Sequence, residues 1–276
     1  MEIKSVLAEK SEEINNALDD YLPPSDLKPM KLHQAMRYSV LAGGKRLRPI
    51  LTLAAAKLVS DLDKTKILPA ACAVELVHNY SLIHDDLPSM DDDDIRRGQP
   101  SNHKKFSPAL AILAGDALLT LAFELVSEIE TIDAERINLV TKELAQGSGH
   151  QGMVGGQVVD IESEGKEIDS AELDYIHQHK TGALLKTSVR IGALMGEASE
   201  KELTALTTYA EKIGLAFQIV DDILDVEGSS EKLGKAVGSD SNKDKATFPA
   251  IYGLAESKDL AAKTIQEAKD SLEVFG

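Results

Sequence analysis

The sequence predicts an all-α protein, and three observations carry that prediction. Alanine, leucine, glutamate and lysine are abundant, apolar residues recur at helical spacing, and alternating runs of β-branched residues are nearly absent. Proline and glycine mark the breaks at Pro23-Pro24, Gly43-Gly44, Gly98 with Pro100, Gly165 and across 228–244. Between them the pattern places helices at roughly 2–20, 30–42, 46–60, 66–87, 108–128, 133–147, 149–163, 170–195, 199–226, 246–256 and 257–273.

The breaks and caps justify these elements in turn. The first helix stops before the Pro23-Pro24 pair, the second at Gly43-Gly44, and the fourth, which contains VELVHNYSLIH, at Pro88. The helix at 108–128 contains ALAILAGDALLTLAFELV, apolar on nearly every face, and LLKTSVRIGALM (184–195) is similar. Such helices are surrounded by others or covered by a second chain, so a homodimer is expected. Asp169 followed by Glu172, and Ser199 followed by Glu202, read as helix caps. The longest polar, glycine-bearing segment is GSSEKLGKAVGSDSNKD (228–244), a length at which loops are often functional. No repeat, low-complexity tract or shift in composition divides the 276 residues, so 1–276 is read as one helical domain.

Composition excludes several classes of function. Hydrophobic residues are 43% of the chain, enough for a sizeable core, and the formal net charge is −16. That charge disfavours nucleic acid and anionic membranes as partners. A phosphorylated substrate would require cations to reverse the local field. The single cysteine, Cys72, lies in the apolar run PAACAVELV, which rules out a disulfide framework. The N-terminal MEIKSVLAEKSEEI has no long apolar stretch, and no window reaches about 20 consecutive apolar residues, so neither a signal peptide nor a membrane insertion is expected. A cytoplasmic protein is the resulting expectation.

Two aspartate clusters carry the chemistry. Residues 85–94 hold six aspartates in ten positions at the end of an apolar helix, where carboxylates oppose the helix dipole. Pro88 breaks regular geometry, so spacing alone leaves open which of Asp91, Asp92, Asp93 or Asp94 turns back toward Asp85. The second cluster is AFQIVDDILDVEG (216–228). At about 100° per residue Asp221, Asp222 and Asp225 share one helix face, flanked by Ile219, Val220, Ile223, Leu224 and Val226. Carboxylates so placed are costly unless a cation neutralises them, and all-oxygen ligands suit Mg²⁺. Facing one another across a helical cavity, the clusters would hold a diphosphate between metal ions. Basic residues at the glycine breaks fit the same anion: Lys45, Arg46 and Arg48 in AGGKRLRP, Arg96 and Arg97 after the first cluster, Lys180 in HKTG and Lys235 in LGKAVGSD.

These motifs together resemble the trans-prenyl diphosphate synthases, the farnesyl and geranylgeranyl diphosphate synthase family. The matching pieces are GGKRLRP, HxxSLIHDDLPxMDDDxxRRG, GMxGGQxxD (152–160), HKTGxLL (179–185), FQIxDDILD (217–225) and GKxxGSD…K (234–245), in family order from about residue 30. The resemblance implies an isoprenoid-synthase-type helical bundle around a central cavity. It also implies Mg²⁺-dependent head-to-tail condensation of isopentenyl diphosphate with an allylic diphosphate, dimethylallyl or geranyl, with three ions per site. Carried over residue by residue, Asp85 and Asp91 resemble the metal ligands of the first motif, with Asp86 in support. Asp221 resembles that of the second, with Asp222 and Asp225 close by. Gly44, Lys45, Arg48, His78 and Arg97 resemble the isopentenyl diphosphate site, and Arg96, Lys180, Thr181, Gln218 and Lys235 the allylic one. Metal ions and lysines would stabilise the departing diphosphate, the alkene would attack the allylic cation in a dry cavity, and the released diphosphate would take the proton. Oxygens of Thr181 and Gln218 would stabilise positive charge.

In this family an aromatic residue near Tyr80, five positions before Asp85, goes with short products, and Ser81 lies at four. With the four residues that separate Asp86 from Asp91, this resembles the bacterial-type farnesyl synthases and favours a fifteen-carbon product over a twenty-carbon one. The chain departs from the family at LEVFG, where members usually continue with a further helix and a basic tail. The stretch 228–244 is expected to act as a flap over the substrate. Among other readings, an HD-type phosphohydrolase built on His84-Asp85, with His33, His78 and His150 as further ligands, leaves DDILD and GGKRLRP unexplained. A terpene cyclase normally carries Asn and Ser/Thr in its second metal motif. A non-catalytic subunit of a heteromeric synthase tends to lose one aspartate motif, and this chain keeps both.

Overall fold

A computed structural model describes residues 3–130, 132–166, 168–227 and 247–276. Its contacts divide into two compact units, Met1–Lys142 with Leu194–Glu197, and Glu143–Ala193 with Ala198–Gly276.

The first unit contains helices α1 (Ile3–Tyr21), α2 (Met30–Val40), α3 (Leu47–Val59), α4 (Lys64–Asp85), α5 (Asn102–Lys105) and α6 (Pro108–Ser127), and most of α7 (Ala134–Ser148). Helix α4 is its axis and packs on α1, α2, α3 and α6. The run Ala70-Ala71-Cys72-Ala73 is fully buried, and its small side chains let neighbouring helices approach closely. Asp63 caps α4 by accepting from the Thr65 amide at 2.9 Å. Between α4 and α5 lies a small antiparallel hairpin, β1 (Ile95–Arg96) and β2 (Gln99–Pro100). Its two-residue turn places both Arg97 (φ 53°) and Gly98 (φ 75°) in the left-handed region, as a primed hairpin turn requires. The helical pattern of the sequence contains neither this hairpin nor α5, because Arg-Gly stands where Asn-Gly would announce the turn.

Helix α6 is strongly apolar. By length and composition it is apolar enough to cross a membrane, whereas counting consecutive apolar residues finds no such segment, because Asp116 and Glu124 interrupt the run. Its buried stripe, including Ala111, Ala114, Leu118, Ala122 and Val126, packs within the first unit, mainly on α4. Ile112 and Leu113 remain about half exposed, at 45% and 55%.

The second unit contains the end of α7, α8 (Met153–Ser163), α9 (Ser170–Ile176), a π-turn (His177–Gly182), most of α10 (Ala183–Met195), α11 (Glu200–Glu227), α12 (Phe248–Tyr252), α13 (Leu254–Asp270) and a terminal 3₁₀ turn (Ser271–Phe275). Both expected caps are present. Asp169 accepts from the Glu172 amide at 2.9 Å, and Ser199 and Glu202 bond reciprocally at 2.8 and 3.3 Å. Leu173, Ile219, Ile223, Phe248 and Ala261 form a buried core joining α9, α11, α12 and α13. The segment expected as one helix over 170–195 is divided by the π-turn. The one expected over 246–256 ends at Tyr252, where Gly253 takes φ 81°.

The π-turn rests on α8 and α11. The contact with α8 is so close that a Cβ on Gly156 would stand 2.1 Å from the Lys180 amide nitrogen. Gly156→Ala should therefore force the two segments apart and destabilise the protein by about 1–3 kcal/mol, measured as a lower urea midpoint at unchanged slope.

Candidate active site

The aspartate-rich end of α4 folds back on itself. The Asp91 amide donates to the Asp85 carbonyl at 2.9 Å and the Asp92 amide to the Leu87 carbonyl at 3.1 Å. The turn that Pro88 imposes thus returns Asp91 to Asp85, which spacing left open. Both residues are half-buried. Asp86 is 2% exposed, and its Oδ1 accepts from Arg96 Nε and Nη2 at 2.9 and 2.5 Å. Burial pushes its carboxyl up, and Arg96 acts against that. Arg96 also reaches Asp93 at 3.2 Å. Asp92, Asp94 and the buried His103 bring possible ligand atoms within 4.8 Å of one another. An ammonium already lies there, with Lys104 Nζ 2.7 Å from Asp94 and 4.0 Å from Asp92. The pair Asp85 and Asp91 offers hard oxygen donors that fit Mg²⁺.

Four arginines of the first unit, Arg46, Arg48, Arg96 and Arg97, gather around His78. Gly43, Gly44 and Arg46 all have positive φ (90°, 134° and 47°), which bends the chain sharply into α3. Arg46 is 2% exposed and donates to Asn15 Oδ1 at 2.7 Å, Glu75 Oε1 at 2.8 Å and the Val40 carbonyl at 2.5 Å. It is a structural pin between two residues expected to bind substrate, the exposed Lys45 and the half-buried Arg48. The buried Arg48 Nε has no hydrogen-bond partner among the described residues. Gly44 abuts the Arg97 guanidinium, which a Cβ there would meet at 3.1 Å. Burial lowers Arg97 to about 10. Desolvation, and after it the charges of Arg48, Arg97, Arg46 and Arg96, push the His78 imidazole well below its ordinary range. A neutral imidazole among guanidiniums is the environment of an anion site.

On α4, Tyr80 is 7% exposed and its ring stands edge-on to His84 at 5.6 Å. Desolvation raises its hydroxyl to about 12, with Asp85 adding to the effect. Ser81 Oγ donates to the His78 carbonyl at 2.9 Å.

In the second unit α11 carries Asp221, half-buried, with Asp222 and Asp225 at 6% and 4% exposure. Asp222 Oδ2 accepts from the Phe248 amide at 2.9 Å and lies 3.8 Å from His177 Nε2. His177 stacks on Phe248 (5.3 Å, 17°) and bonds through Nδ1 to Gln218 Oε1 at 3.1 Å. Lys180 Nζ lies 2.6 Å from Asp160 Oδ2, so the aspartate of the GMVGGQVVD motif meets the lysine of HKTG. Thr181 is half-buried in the same π-turn. Lys235 and the stretch 228–244 lie outside the described residues. Arg46, counted among the anion-binding cations from sequence, is instead engaged by Asn15, Glu75 and the Val40 carbonyl, while Glu75, Asp160 and His177 were not assigned a site role from sequence, although each lies in or beside a quoted motif.

This geometry agrees with a family profile. The polyprenyl synthetase profile matches residues 29–274. The chain belongs to the polyprenyl synthetase family. A farnesyl diphosphate synthase of Geobacillus stearothermophilus is 48% identical over 99% of this chain and 92% of its own length. The large subunit 1 of a heterodimeric chloroplastic geranylgeranyl pyrophosphate synthase of Arabidopsis thaliana is 50% identical over 97% and 73%. Among solved structures, an apo FPP/GFPP synthase of Zymomonas mobilis has a TM-score of 0.88 at 38% identity, covering 99% of this chain and 93% of the other. A geranyltransferase of Helicobacter pylori complexed with magnesium and isoprenyl diphosphate has a TM-score of 0.86 at 33% identity over 98% and 90%. The prenyltransferase class and the all-α isoprenoid synthase fold follow.

The His78 environment of this prenyltransferase has a consequence in solution. Its imidazole titrates lower when folded than when unfolded, so the unfolded chain takes up the proton first as pH falls. Stability should decline below about pH 6.5, and His78→Gln should flatten that decline in melting curves recorded from pH 7 to pH 5.

Proposed function

We propose that the chain condenses isopentenyl diphosphate with dimethylallyl and geranyl diphosphate to give the fifteen-carbon farnesyl diphosphate. The observation that carries this reading is the return of Asp91 to Asp85 beside a surplus of arginine. Asp85 and Asp91, and in the second unit Asp221 with Asp222 and Asp225, are the residues that would hold Mg²⁺. When bound, Mg²⁺ supplies the positive charge that favours departure of the allylic diphosphate. The family resemblance gives three ions per site.

The remaining roles belong to the chain. Arg48, Arg97, His78, Lys45 and the Gly44 backbone bind the diphosphate of the isopentenyl substrate. Arg96, aimed by Asp86, and Lys180, steadied by Asp160, bind the allylic diphosphate, together with Lys235. The C–O bond of the allylic substrate breaks and diphosphate leaves with the electron pair. The alkene forms the new C–C bond, and the released diphosphate takes the proton, so no side-chain base is required. The Gln218 amide, fixed by His177, and the Thr181 hydroxyl stabilise the positive charge. Asp222 is tied to the Phe248 amide, so it orients the second motif as well as adding charge.

A twenty-carbon product is the competing reading, because relatives named for either product have similar identity to this chain. Tyr80 supports the shorter one: in this reading a buried aromatic about 7.5 Å up the helix from Asp85 is the floor for the growing tail. Tyr80→Ala should shift extractable products from fifteen to twenty carbons or more. An unchanged distribution would place the floor elsewhere.

In this reading a second copy of the chain covers the exposed Ile112 and Leu113 of α6, and residues 1–276 act as one catalytic domain. The single buried cysteine fits a cytoplasmic setting.

The reading is tested with purified chain, Mg²⁺, labelled isopentenyl diphosphate and either allylic substrate. Wild type should form extractable prenyl product. Asp85→Asn and Asp221→Asn should each lower kcat by about 10²-fold or more. The double variant should lose far less than the product of the two effects if both motifs act on one diphosphate. Release of phosphate without a carbon–carbon bond would refute condensation.

A further inference from the structure

One carboxylate stands behind the arginines of the first unit. Glu75 and Asn79 are one turn apart on α4 and are 2% and 1% exposed. Glu75 Oε1 accepts from Arg46 Nη1 at 2.8 Å and from Asn79 Nδ2 at 3.3 Å, and lies 4.0 Å from Arg97 Nη2. Asn79 Nδ2 also donates to the Glu75 carbonyl at 2.8 Å. With its nitrogen committed twice to Glu75, the amide turns its oxygen the other way, where Oδ1 accepts from Arg97 Nη1 at 3.3 Å. Arg97 is constrained at its other end by its left-handed backbone, and the bare Cα of Gly44 lies against the guanidinium itself.

Such an arrangement does more than satisfy buried groups. Asn79 takes one N–H of a fork with five, so most of the fork stays available to an anion. Arg46, Arg48 and Arg97 share one buried carboxylate neighbour among the described residues, Glu75, which lessens their mutual repulsion without cancelling their charge. A second carboxylate would weaken the site, and none at all would leave Arg46 buried without its counter-charge.

We propose that Glu75, acting through Asn79, is a positioning residue for the isopentenyl diphosphate site, aiming the Arg97 guanidinium and gathering the arginines while leaving them net positive. This rests on the reading of Arg48, His78 and Arg97 given above. In this proposal both buried residues act only through Arg46 and Arg97, with no substrate contact of their own.

Two variants and two readouts test it. Asn79→Ala removes the strut but keeps the Arg46–Glu75 ion pair, which guards against loss of the fold, and Glu75→Gln removes the charge. Steady-state kinetics give KM for each substrate, and calorimetric titration with inorganic pyrophosphate in EDTA reports anion binding without catalysis. Asn79→Ala should raise KM for isopentenyl diphosphate about tenfold, with kcat and the allylic KM within about twofold. Pyrophosphate affinity should fall by a similar factor. Glu75→Gln, if folded, should change the same quantities by more. A folded Asn79→Ala with unchanged pyrophosphate affinity would overturn the proposal, as would equal rises in both KM values or a fall in kcat alone. If pyrophosphate binding weakens as expected but wild type forms no prenyl product, the positioning role stands and the functional reading fails.

Discussion

The ion pair between Arg46 and Glu75 organises the first unit. Its members are 0% and 2% exposed in their side chains and 2.8 Å apart. Burying two charges is expensive, and losing one partner of such a pair typically costs about 3–5 kcal/mol. The pair is held by further hydrogen bonds: Arg46 also engages Asn15 on α1 and the Val40 carbonyl at the end of α2. One guanidinium thus joins α1, α2 and α4 at the start of α3. The diglycine turn must take its positive-φ path for Arg46 to arrive there. Lys45 is left exposed as a result, and Arg48 faces inward one residue into α3.

The second unit solves a similar problem with tight backbone contact. Gly156 lets the π-turn lie directly on α8, and Asp160, one turn further along α8, reaches Lys180. The extra residue in the π-turn also brings His177 to Gln218 and Asp222 on α11. Single π-turns inside α-helices are rare and frequent at functional sites. Here one such turn carries His177, Lys180 and Thr181, each of them in or beside a site motif.

Much of this was legible in the sequence. The long helices sit close to their expected limits because apolar periodicity and the caps at Asp169 and Ser199 are local signals. The aspartate, arginine and lysine clusters stood out in the sequence because carboxylates and guanidiniums beside apolar segments are costly unless they are paired. The π-turn was not readable, since HQHKTG carries no signal that separates a wider turn from an ordinary helical one, and the turn packs on α8 and α11, far from it in sequence. The hairpin was hidden because Arg97 occupies a conformation usually given to asparagine or glycine.

The sequence by itself determined the helical class, the acidic and basic inventory and the chemistry those residues share, because these depend on residue type and near-neighbour spacing. Tertiary structure alone decided how the charges are divided. Asp91 rather than its three neighbours returns to Asp85, Arg46 becomes a pin while Arg48 does not, and Asp86 is claimed by Arg96. The physical reason is that a charge's role follows from its burial and its partner. Partners such as Glu75 for Arg46 or Asp160 for Lys180 lie 29 and 20 residues away along the chain, beyond the reach of any local pattern.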